Sequence, residues 1–520
     1  MKLCTMKSLL IIAGILCVPT VAAKPISSKQ LDKVAQRVLE EYRVPGAVVG
    51  IVQHGKVVQA KSYGVKNIQT GEKVDEFTLF KIASNSKAFT TAALAILVDE
   101  GKIRWDDKVV KYLPDFKLHD PWITAHFNII DLLTHRSGLG LGAGDLMIWP
   151  KPSTFSRQEV IHNLRYLQPA GEFRANYAYD NLLYIVAGEI VPAVTGMQWE
   201  DFVEQRIMRP LGMQHCFAGK VAREQLADVA KPHGVIEGKL QVIDRPEREG
   251  PAVASAAGGI KCSLHDILLW LQMHLDEGQF GDNKQLISAQ QHQMLWSPQT
   301  IMPLYDSDKR LNNSHFSSYA LGWRLNDMNG YLRVHHTGSL AGMYSYVSFI
   351  PELDLGVVVL LNQQSSGARN ALMYSVLKSY LPVEKHDWVK EFLPKSRTKT
   401  SDNKQPVQST KTVYVLDKQT KLSQYAGRYQ DNWLGEFSVV LENNALVMRS
   451  KRVPKFVGSM TPIAPNQFVV RWYDRSLEAD AIATFFADEE GVFNSMKLLP
   501  ESEDIDFSYD FQDLDFQRTE

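Results

Sequence analysis

Two pairs of predicted strands, far apart in the chain, constrain the fold more than any other feature. Residues 47–53 and 56–63 are rich in valine and are joined by a His-Gly turn, which is typical of a β-hairpin. Strand patterns return at 344–350 and 356–361, while most of the chain between the pairs alternates short helical stretches with Gly/Pro loops. We therefore expect one antiparallel sheet built from distant segments, beside a mainly helical region, with a cleft between the two.

Helices are predicted at both ends of this stretch. Apolar residues recur at helical spacing in 28–42, and 87–100 is rich in Ala and Leu and is followed by Gly101. A further helix is predicted at 368–380.

The C-terminal part of the chain has a different composition. A chain of 520 residues exceeds what one core usually organises, so we expect at least two domains. Residues 394–413 carry lysines and an arginine among Ser, Thr and Gln, which is typical of a linker. Several short strand patterns follow in 414–520, which predicts a small all-β sandwich or barrel with an acidic, solvated end.

Residues 1–23 are predicted to be a signal peptide. Lys2 and Lys7 precede an apolar run, and small residues follow it before Lys24. The alternative is an uncleaved membrane anchor. We expect the first domain to occupy 24–393, no stable membrane span after cleavage, and a periplasmic or secreted protein.

Charge and cysteine content narrow the class of partner. The chain carries 57 Lys+Arg against 58 Asp+Glu, so it lacks a basic field for nucleic acid. We expect a small-molecule or short-peptide substrate and no nucleic-acid partner. After loss of the leader, Cys216 and Cys262 remain; a disulfide is compatible with the sequence, but two isolated thiols are the preferred interpretation. No Cys-x-x-Cys or His-Glu-x-x-His pattern is present, so we expect no metal site.

A Ser-x-x-Lys pattern at Ser84 and Lys87 is the first candidate for chemistry. It opens an apolar helix, and the lysine follows the serine by about one turn, so the amine can lie beside the hydroxyl. Burial disfavours the charged lysine, and a neutral amine can take the serine proton. The alternative is a serine that only caps the helix.

The same pattern occurs at Ser375, Ser396 and Ser401. Ser375 lies inside a predicted helix, and the other two lie in the predicted linker, where nothing can desolvate a lysine. The context therefore favours Ser84.

Tyr179 and Asn181 form the second candidate, the single Tyr-x-Asn in the sequence. A phenol beside an ammonium group loses its proton more readily or relays one, and an amide can hold both the lysine amine and a substrate carbonyl. The alternative is a buried tyrosine followed by a turn-forming asparagine.

His336, Thr337 and Gly338 form the third candidate, followed by Ser339 and a predicted strand. A glycine on an edge strand lets a ligand approach the backbone. Thr337 offers a hydroxyl, and His336 can donate a hydrogen bond or a positive charge to a substrate carboxylate. The alternative is an ordinary loop histidine.

In this order, the three patterns resemble the serine β-lactamase and penicillin-binding superfamily, in particular the class C β-lactamase-like serine hydrolases and peptidases. The resemblance covers about residues 31–381. Four further short motifs also resemble this family: Val44-Pro45-Gly46, the run Leu-Leu-Thr-His-Arg-Ser-Gly-Leu at 132–139, Pro210-Leu211-Gly212-Met213 and Ala257-Gly258-Gly259. It implies an α/β (α+β) fold of the β-lactamase/transpeptidase type, an acyl-enzyme mechanism, and no metal or cofactor.

The resemblance also implies roles for the candidate residues. Ser84 would be the acylated nucleophile and Lys87 its general base. Tyr179 would pass the proton to the leaving group and later activate water, and Asn181 would hold Lys87 and the substrate amide.

Substrate contacts are implied in the same way. His336 and Thr337, with Gly338, would meet the carboxylate side of the substrate. The backbone N–H groups of Ser84 and Ser339 would form the oxyanion hole.

One departure from the β-lactamases bears on the substrate. Their third motif usually begins with Lys, whereas His336 stands here, as in D-Ala-D-Ala carboxypeptidases and D-aminopeptidases of the group. We therefore expect a peptidase or amidase acting on D-amino-acid peptides. The alternatives are an esterase, a weak β-lactamase of the same fold, and a catalytically silent penicillin-recognising sensor. His135 is expected to be structural.

The tail from about Leu422 resembles the small lipocalin-like β domains attached to some of these hydrolases, on the phrase Leu422-x-x-Tyr425-Ala426-Gly427-x-Tyr429. We expect this domain to lie over or near the cleft and to narrow what can enter.

Overall fold

The computed structural model describes residues 22–221, 223–243, 253–394 and 421–519. Nearly all of the predicted leader and linker lies outside these residues. What is described forms two units, a larger α+β unit before residue 394 and a β-barrel after residue 421.

Strands of the larger unit range from two to ten residues. They are β1 (Gly46–Gln53), β2 (Lys56–Gly64), β3 (Phe80–Lys81), β4 (Cys216–Phe217), β5 (His233–Ile236), β6 (Lys239–Val242), β7 (Lys261–Cys262), β8 (Gln279–Phe280), β9 (Lys284–Gln285), β10 (Thr300–Ile301), β11 (Ser317–Tyr319), β12 (Arg324–Met328), β13 (Tyr331–Leu340), β14 (Met343–Ile350) and β15 (Leu355–Leu361).

The expected sheet of distant segments is confirmed. It is antiparallel, with eight described strands in the order β10-β11-β12-β13-β14-β15-β1-β2. The N-terminal hairpin joins the C-terminal one through β1 and β15, with Ala47 opposite Leu361 and Gly50 opposite Val358. Both strands are almost wholly buried, because helices cover both faces of the sheet.

The helices of this unit are α1 (Ser28–Glu41), α2 (Ser86–Asp99), α3 (Pro121–His126), α4 (Ile129–Leu133), α5 (Arg157–Asn163), α6 (Leu182–Thr195), α7 (Trp199–Val203), α8 (Arg209–Leu211), α9 (Ser255–Gly258), α10 (Leu264–Leu275), α11 (Ala289–Leu295), α12 (Asp306–Asn312), α13 (Ser366–Leu377) and α14 (Trp388–Glu391).

Alternation along the strands assigns side chains to two cores. Val49 and Val357 pack with α1 and α13 on one face, whereas Val48 and Val358 pack with α10 and the helical region on the other. The α2 helix is buried almost completely, with Lys87 among its buried residues. A mainly helical region therefore lies beside the sheet, as expected.

The preference for two isolated thiols was wrong. Cys216 and Cys262 form a disulfide, with their Cα atoms 4.1 Å apart. They are directly opposite each other in the pairing of β4 with β7. Each of these strands has only two residues, too short to leave a periodic pattern in the sequence, so their pairing could not be predicted.

The C-terminal unit is a closed barrel, which confirms the predicted all-β domain. Its strands are β16 (Gly427–Asp431), β17 (Gly435–Glu442), β18 (Ala445–Ser450), β19 (Val457–Ala464), β20 (Gln467–Trp472), β21 (Ala481–Ala487), β22 (Phe493–Pro500) and β23 (Phe516–Arg518). Each strand pairs antiparallel with the next, and β23 returns to β16. Closure leaves no free sheet edge.

Aromatic side chains fill the barrel, and polar contacts fix it to the larger unit. Tyr429, Phe437 and Trp472 are among its buried residues. Arg452 forms an ion pair with Glu159 at 2.8 Å and also bonds Thr154. The barrel therefore has one defined face against the larger unit.

No single helix among the described residues is long and apolar enough to cross a membrane. Taken together, α6 and the helical stretch Trp199–Leu211 have the length and apolar composition of a membrane span, but the angle between them is 79°.

Candidate active site

A cavity of about 600 Å³ lies between the edge of β13, the start of α2 and the barrel. Ser84, Tyr179, Asn181, Thr337 and Ser339 line it. The barrel contributes Ser476, Leu477 and the segment 506–509 to its wall. The predicted position of the barrel near the cleft is thus confirmed.

Ser84 lies on the short turn between β3 and α2. Ala83, which precedes it, has a φ of 48°, a left-handed conformation that is strained for a residue with a Cβ and is found at functional turns. The N-cap of α2 is Asn85, which makes no side-chain capping bond, so the alternative of Ser84 as a helix cap does not hold. The Ser84 side chain is half-buried and faces the cavity.

Lys87 has no access to solvent, and its amine is held by three oxygens. The distances from Nζ are 2.7 Å to Asn181 Oδ1, 2.9 Å to the carbonyl oxygen of Ala257 and 3.3 Å to Ser84 Oγ. The first two oxygens can only accept hydrogen bonds. A neutral amine has two N–H groups for them, which leaves its lone pair for the Ser84 hydroxyl.

Burial lowers the pKa of Lys87 to about 7. Asp145 opposes this shift, Arg324 adds to it, and Asp180 opposes it more weakly. The ring centroids of Tyr179 and Tyr184 lie 4.7 and 5.2 Å from Nζ, which completes a dry environment around the amine. Near neutral pH this amine can therefore act as a base.

Asn181 connects the lysine to a buried carboxyl group. Its Nδ2 donates to Asp145 Oδ2 at 2.7 Å while its Oδ1 accepts from Lys87. Burial raises the pKa of Asp145 to about 8, against the lowering effect of a hydrogen bond from Ser508. Asp145 was not predicted, because a single aspartate at the start of a three-residue 3-10 helix has no distinguishing sequence pattern.

Tyr179 lies against the lysine, and the structure favours proton relay over easier proton loss, the two possibilities expected for this phenol. Burial raises the pKa of Tyr179, and this outweighs the lowering effects of Arg324 and the Ser84 hydroxyl. Its hydroxyl is buried beside the Ser84 hydroxyl. Tyr179 is therefore a neutral phenol that can donate a proton, not a ready phenolate.

His135, expected to be structural, holds the segment that carries Tyr179. Its Nδ1 accepts the backbone N–H of Asp180 at 3.0 Å, and its carbonyl oxygen accepts that of Ala178 at 2.9 Å. Burial holds the pKa of His135 well below its usual value, so the ring is neutral. Its ring centroid is 4.2 Å from that of Tyr179.

Gly338 sets the distance between β13 and the turn before Ser84. A Cβ at this position would collide with the carbonyl oxygen of Ile82 and with Ser345 Oγ, and would lie 3.1 Å from the Cβ of Ala83. The close approach of these two backbones places Thr337 and Ser339 on the wall of the same cavity as Ser84.

His336 lies on the other side of β13 and does not reach the cavity. It is fully buried, and its ring nitrogens lie 3.0 Å from the Tyr319 hydroxyl and 2.7 Å from the carbonyl oxygen of Thr337. Burial, with Arg324 and Lys87 nearby, holds the pKa of His336 well below its usual value. The predicted contact of His336 with a substrate carboxylate is therefore not available in this structure, and the ring carries no charge to offer one.

Three arginines that sequence reasoning missed supply positive charge instead. Arg324, Arg333 and Arg369 line the cavity, and none has a carboxylate within 4 Å in the described parts of the chain. Arg324 donates to Thr337 Oγ1 at 3.0 Å, and Arg369 donates to Ser339 Oγ at 3.3 Å. Burial without an acidic partner lowers the pKa of Arg369 to about 10. Isolated arginines in strands and helices carry no pattern that reveals this convergence.

The other Ser-x-x-Lys patterns do not build a site in the described residues. Ser375 lies in α13, and Lys378 Nζ donates to the carbonyl oxygen of Leu311 and to Asn329 Oδ1. Ser396 and Ser401 lie outside the described residues.

Two family models match the chain. One, described as Beta-lactamase, matches residues 31–379, and one described as Domain of unknown function (DUF3471) matches residues 416–518. Within described residues, no group of His, Cys, Asp and Glu side chains could hold a metal ion.

Curated relatives are similar at low identity. Unguisins hydrolase ungD' of Aspergillus campestris (strain IBT 28561) is 28% identical over 376 residues, which cover 69% of this chain and 67% of that protein. Protein flp of Staphylococcus aureus (strain N315) is 26% identical over 354 residues, which cover 65% of this chain and 64% of that protein. The chain thus spans about two thirds of the length of these relatives.

A solved structure shares the fold across both units. The octameric penicillin-binding protein homologue from Pyrococcus abyssi has a TM-score of 0.59 and 21% sequence identity. The likeness covers 94% of this chain and all of that chain.

Proposed function

Because this chain belongs to the β-lactamase family, we propose that it is a serine hydrolase that acts through an acyl-enzyme on Ser84. The observation that carries this proposal is the dry amine of Lys87, whose two acceptor-only partners leave its lone pair facing the Ser84 hydroxyl. Hydrolase function itself agrees with relatives named as hydrolases.

The acylation step uses the groups that meet at the cavity. Lys87 Nζ takes the proton of Ser84 Oγ as the oxygen bonds to the carbonyl carbon of the substrate. The backbone N–H groups of Ser84 and Ser339 would stabilise the negative charge that develops on the carbonyl oxygen, a contribution of several kcal/mol in such sites.

Collapse of the tetrahedral intermediate breaks the bond to the leaving group. The neutral phenol of Tyr179 gives its proton to the departing nitrogen or oxygen and recovers one from the Lys87 ammonium group. In deacylation, a water molecule attacks the ester, its proton passes to the same pair of residues, and Ser84 recovers its hydroxyl hydrogen.

We propose that the substrate carries a carboxylate on the leaving-group side, as a D-amino-acid peptide does. Arg324 beside Thr337 and Arg369 beside Ser339 offer guanidinium groups next to the nucleophile, without carboxylate partners among the described residues. A substrate carboxylate would pair with this charge. A cavity of about 600 Å³ fits a short peptide or a small molecule.

A periplasmic or secreted location is also proposed. The disulfide between Cys216 and Cys262 supports it, because structural disulfides persist in oxidising compartments. N-terminal sequencing of the mature protein tests it, and a mature chain that begins at Met1 in the cytoplasm would contradict it.

Covalent labelling tests the nucleophile. The protein is treated with a fluorophosphonate and, separately, with a fluorescent penicillin, and the modified peptide is identified by mass spectrometry. We expect the label on Ser84, its loss in Ser84→Ala, and its retention in the matched control Ser375→Ala. A label on another residue, or none, would contradict the proposal and favour the silent sensor.

Substrate class is then tested by a screen of D-Ala-D-Ala peptides, D-aminoacyl amides, short-chain esters and a chromogenic cephalosporin. We expect a free carboxylate on the leaving group to raise kcat/KM, and Arg369→Gln to remove that preference. Faster turnover of uncharged esters would favour the esterase alternative.

A further inference from the structure

A segment of the barrel extends into the hydrogen-bond network of the active site. Ser508 lies in the connection between β22 and β23, and its hydroxyl donates to Asp145 Oδ2 at 2.7 Å. The same oxygen accepts Asn181 Nδ2 at 2.7 Å, and the amide oxygen of Asn181 accepts from Lys87. A continuous chain of short hydrogen bonds therefore leads from the barrel to the base.

The same barrel segment also fixes the backbone on both sides of Asp145. The Asp510 carboxylate accepts the N–H of Gly144 at 2.6 Å and that of Leu146 at 3.2 Å. Phe507, one residue before Ser508, packs over Gly142, and its ring lies 5.8 Å from that of Tyr179 in an edge-on arrangement. Barrel contacts thus hold the side chain of Asp145 and the main chain on either side of it.

We propose that Ser508 is a positioning residue for the catalytic base, although it lies in the other structural unit. The inference rests on the proposed roles of Ser84 and Lys87. Asp145 Oδ1 is buried without a partner, so Oδ2 carries all the side-chain hydrogen bonds of this carboxyl group among the described residues. Two donors on one oxygen fix the carboxyl plane, and the carboxyl in turn fixes which end of the Asn181 amide faces Lys87.

Loss of the Ser508 hydroxyl would leave the orientations of the Asp145 carboxyl group and the Asn181 amide less firmly fixed. With only one donor left, the carboxyl can rotate and the Asn181 amide can turn its NH₂ group toward the amine. An NH₂ group cannot accept from Lys87, so the amine would lose one of the two contacts that direct its lone pair at Ser84.

The charge on Asp145 determines the direction in which the pH dependence of the rate should shift when Ser508 is replaced. The Ser508 hydroxyl favours the charged form of Asp145, and charged Asp145 raises the pKa of Lys87. Without Ser508, Asp145 is more often neutral, the pKa of Lys87 falls, and the acid limb of the rate profile moves to lower pH. The titratable and charged groups that face the pair are Asp180, Asp510, Arg324, Tyr179, Tyr184, His135 and His336.

The test compares full-length variants by the rate of fluorophosphonate labelling at Ser84 between pH 5 and pH 9. Ser508→Thr keeps the hydroxyl group. Ser508→Val introduces a side chain of nearly the same shape as threonine but without the hydroxyl, and Ser508→Ala removes the hydroxyl with no added bulk. We expect a loss of roughly tenfold in the plateau rate for the Val and Ala variants, since small misplacements of catalytic groups cost that much or more. Their acid limb should move to lower pH by about half a unit or more, and Thr should restore both values.

Arg452→Ala is the matched control for docking of the barrel. It removes the contacts with Thr154 and Glu159 but leaves the Ser508 network in place. A wild-type profile in Ser508→Val, or the same altered profile in Arg452→Ala, would overturn the inference. Absence of labelling at Ser84 in the wild-type protein would instead overturn the proposed function, so the two failures are distinguishable.

Discussion

The state of one side chain, Lys87, decides what the site can do. Its amine is fully buried, and the described residues place no carboxylate within 4 Å of it. A buried ammonium without a counter-ion is costly, so the neutral form is favoured. Its hydrogen-bond acceptors, Asn181 and Ala257, come from outside α2, which means that tertiary structure, rather than the helix alone, creates the proposed base.

The labelling rate should depend on pH through Lys87. Burial lowers the pKa of this amine to about 7, so the fraction of active base falls as pH drops through that value. We expect the fluorophosphonate rate to decline tenfold per pH unit well below pH 7, and Lys87→Met to lose roughly 10²- to 10⁴-fold at pH 8.

A second lysine provides the control for this prediction. Burial also lowers the pKa of Lys378 to about 7, but its amine bonds Leu311 and Asn329 rather than Ser84. Lys378→Met should therefore keep the wild-type pH profile. A rate that stays flat from pH 9 to pH 5 would contradict the role of Lys87.

Sequence spacing could reveal Ser84 and Lys87 because they are neighbours on one helical turn. It could not reveal Asp145, Arg324, Arg369 or Ser508, since each reaches the cavity through contacts between distant parts of the chain. For His336, the sequence indicated the residue but not the direction of its side chain. The face of the sheet on which His336 lies depends on the register of β13 with β12 and β14.

At the scale of elements, the site depends on how closely β13 approaches the turn before α2. Gly338 allows this approach, since any side chain there would meet the backbone of Ile82. Strands β1, β2, β14 and β15 were predictable from their β-branched and aromatic residues. The two-residue strands β4 and β7 were not, and with them the disulfide was missed.

Gly338→Ala should separate β13 from the turn that carries Ser84. The added methyl group has no room, so we expect a destabilisation of about 1–3 kcal/mol and a fall in labelling rate of at least roughly tenfold. Urea unfolding and the fluorophosphonate rate measure the two effects. Gly171→Ala is the control, because its nearest contact would be 3.8 Å away; equal rates in both variants would show that this approach is unimportant.

At the scale of the whole molecule, the barrel forms part of the wall of the candidate active site. Leu477 and Phe507 reach the cavity from the barrel, and Phe507 is 40% exposed there. Side chains of both units therefore line the cavity. This agrees with the expectation that the C-terminal domain lies near the cleft.

Phe507→Ala should widen the cavity and change selectivity by substrate size. We expect the ratio of kcat/KM for a bulky ester to that for acetyl esters to rise at least roughly threefold, as the loss of a large apolar wall permits. Phe486→Ala is the control, since Phe486 is 47% exposed on β21 but does not line the cavity. An unchanged ratio in Phe507→Ala would mean that the barrel does not restrict size.

The pairing of β1 with β15 also governs when the protein can fold during its synthesis. Val49 of β1 lies opposite Val359 of β15. Strand β1 therefore cannot complete its pairing until the ribosome has synthesised β15, about 300 residues later. Until then its apolar faces and one hydrogen-bonding edge stay uncovered, a condition that favours aggregation and chaperone binding. A nascent chain with so late a closing contact can complete the core of its first unit only after nearly all of that unit has been synthesised.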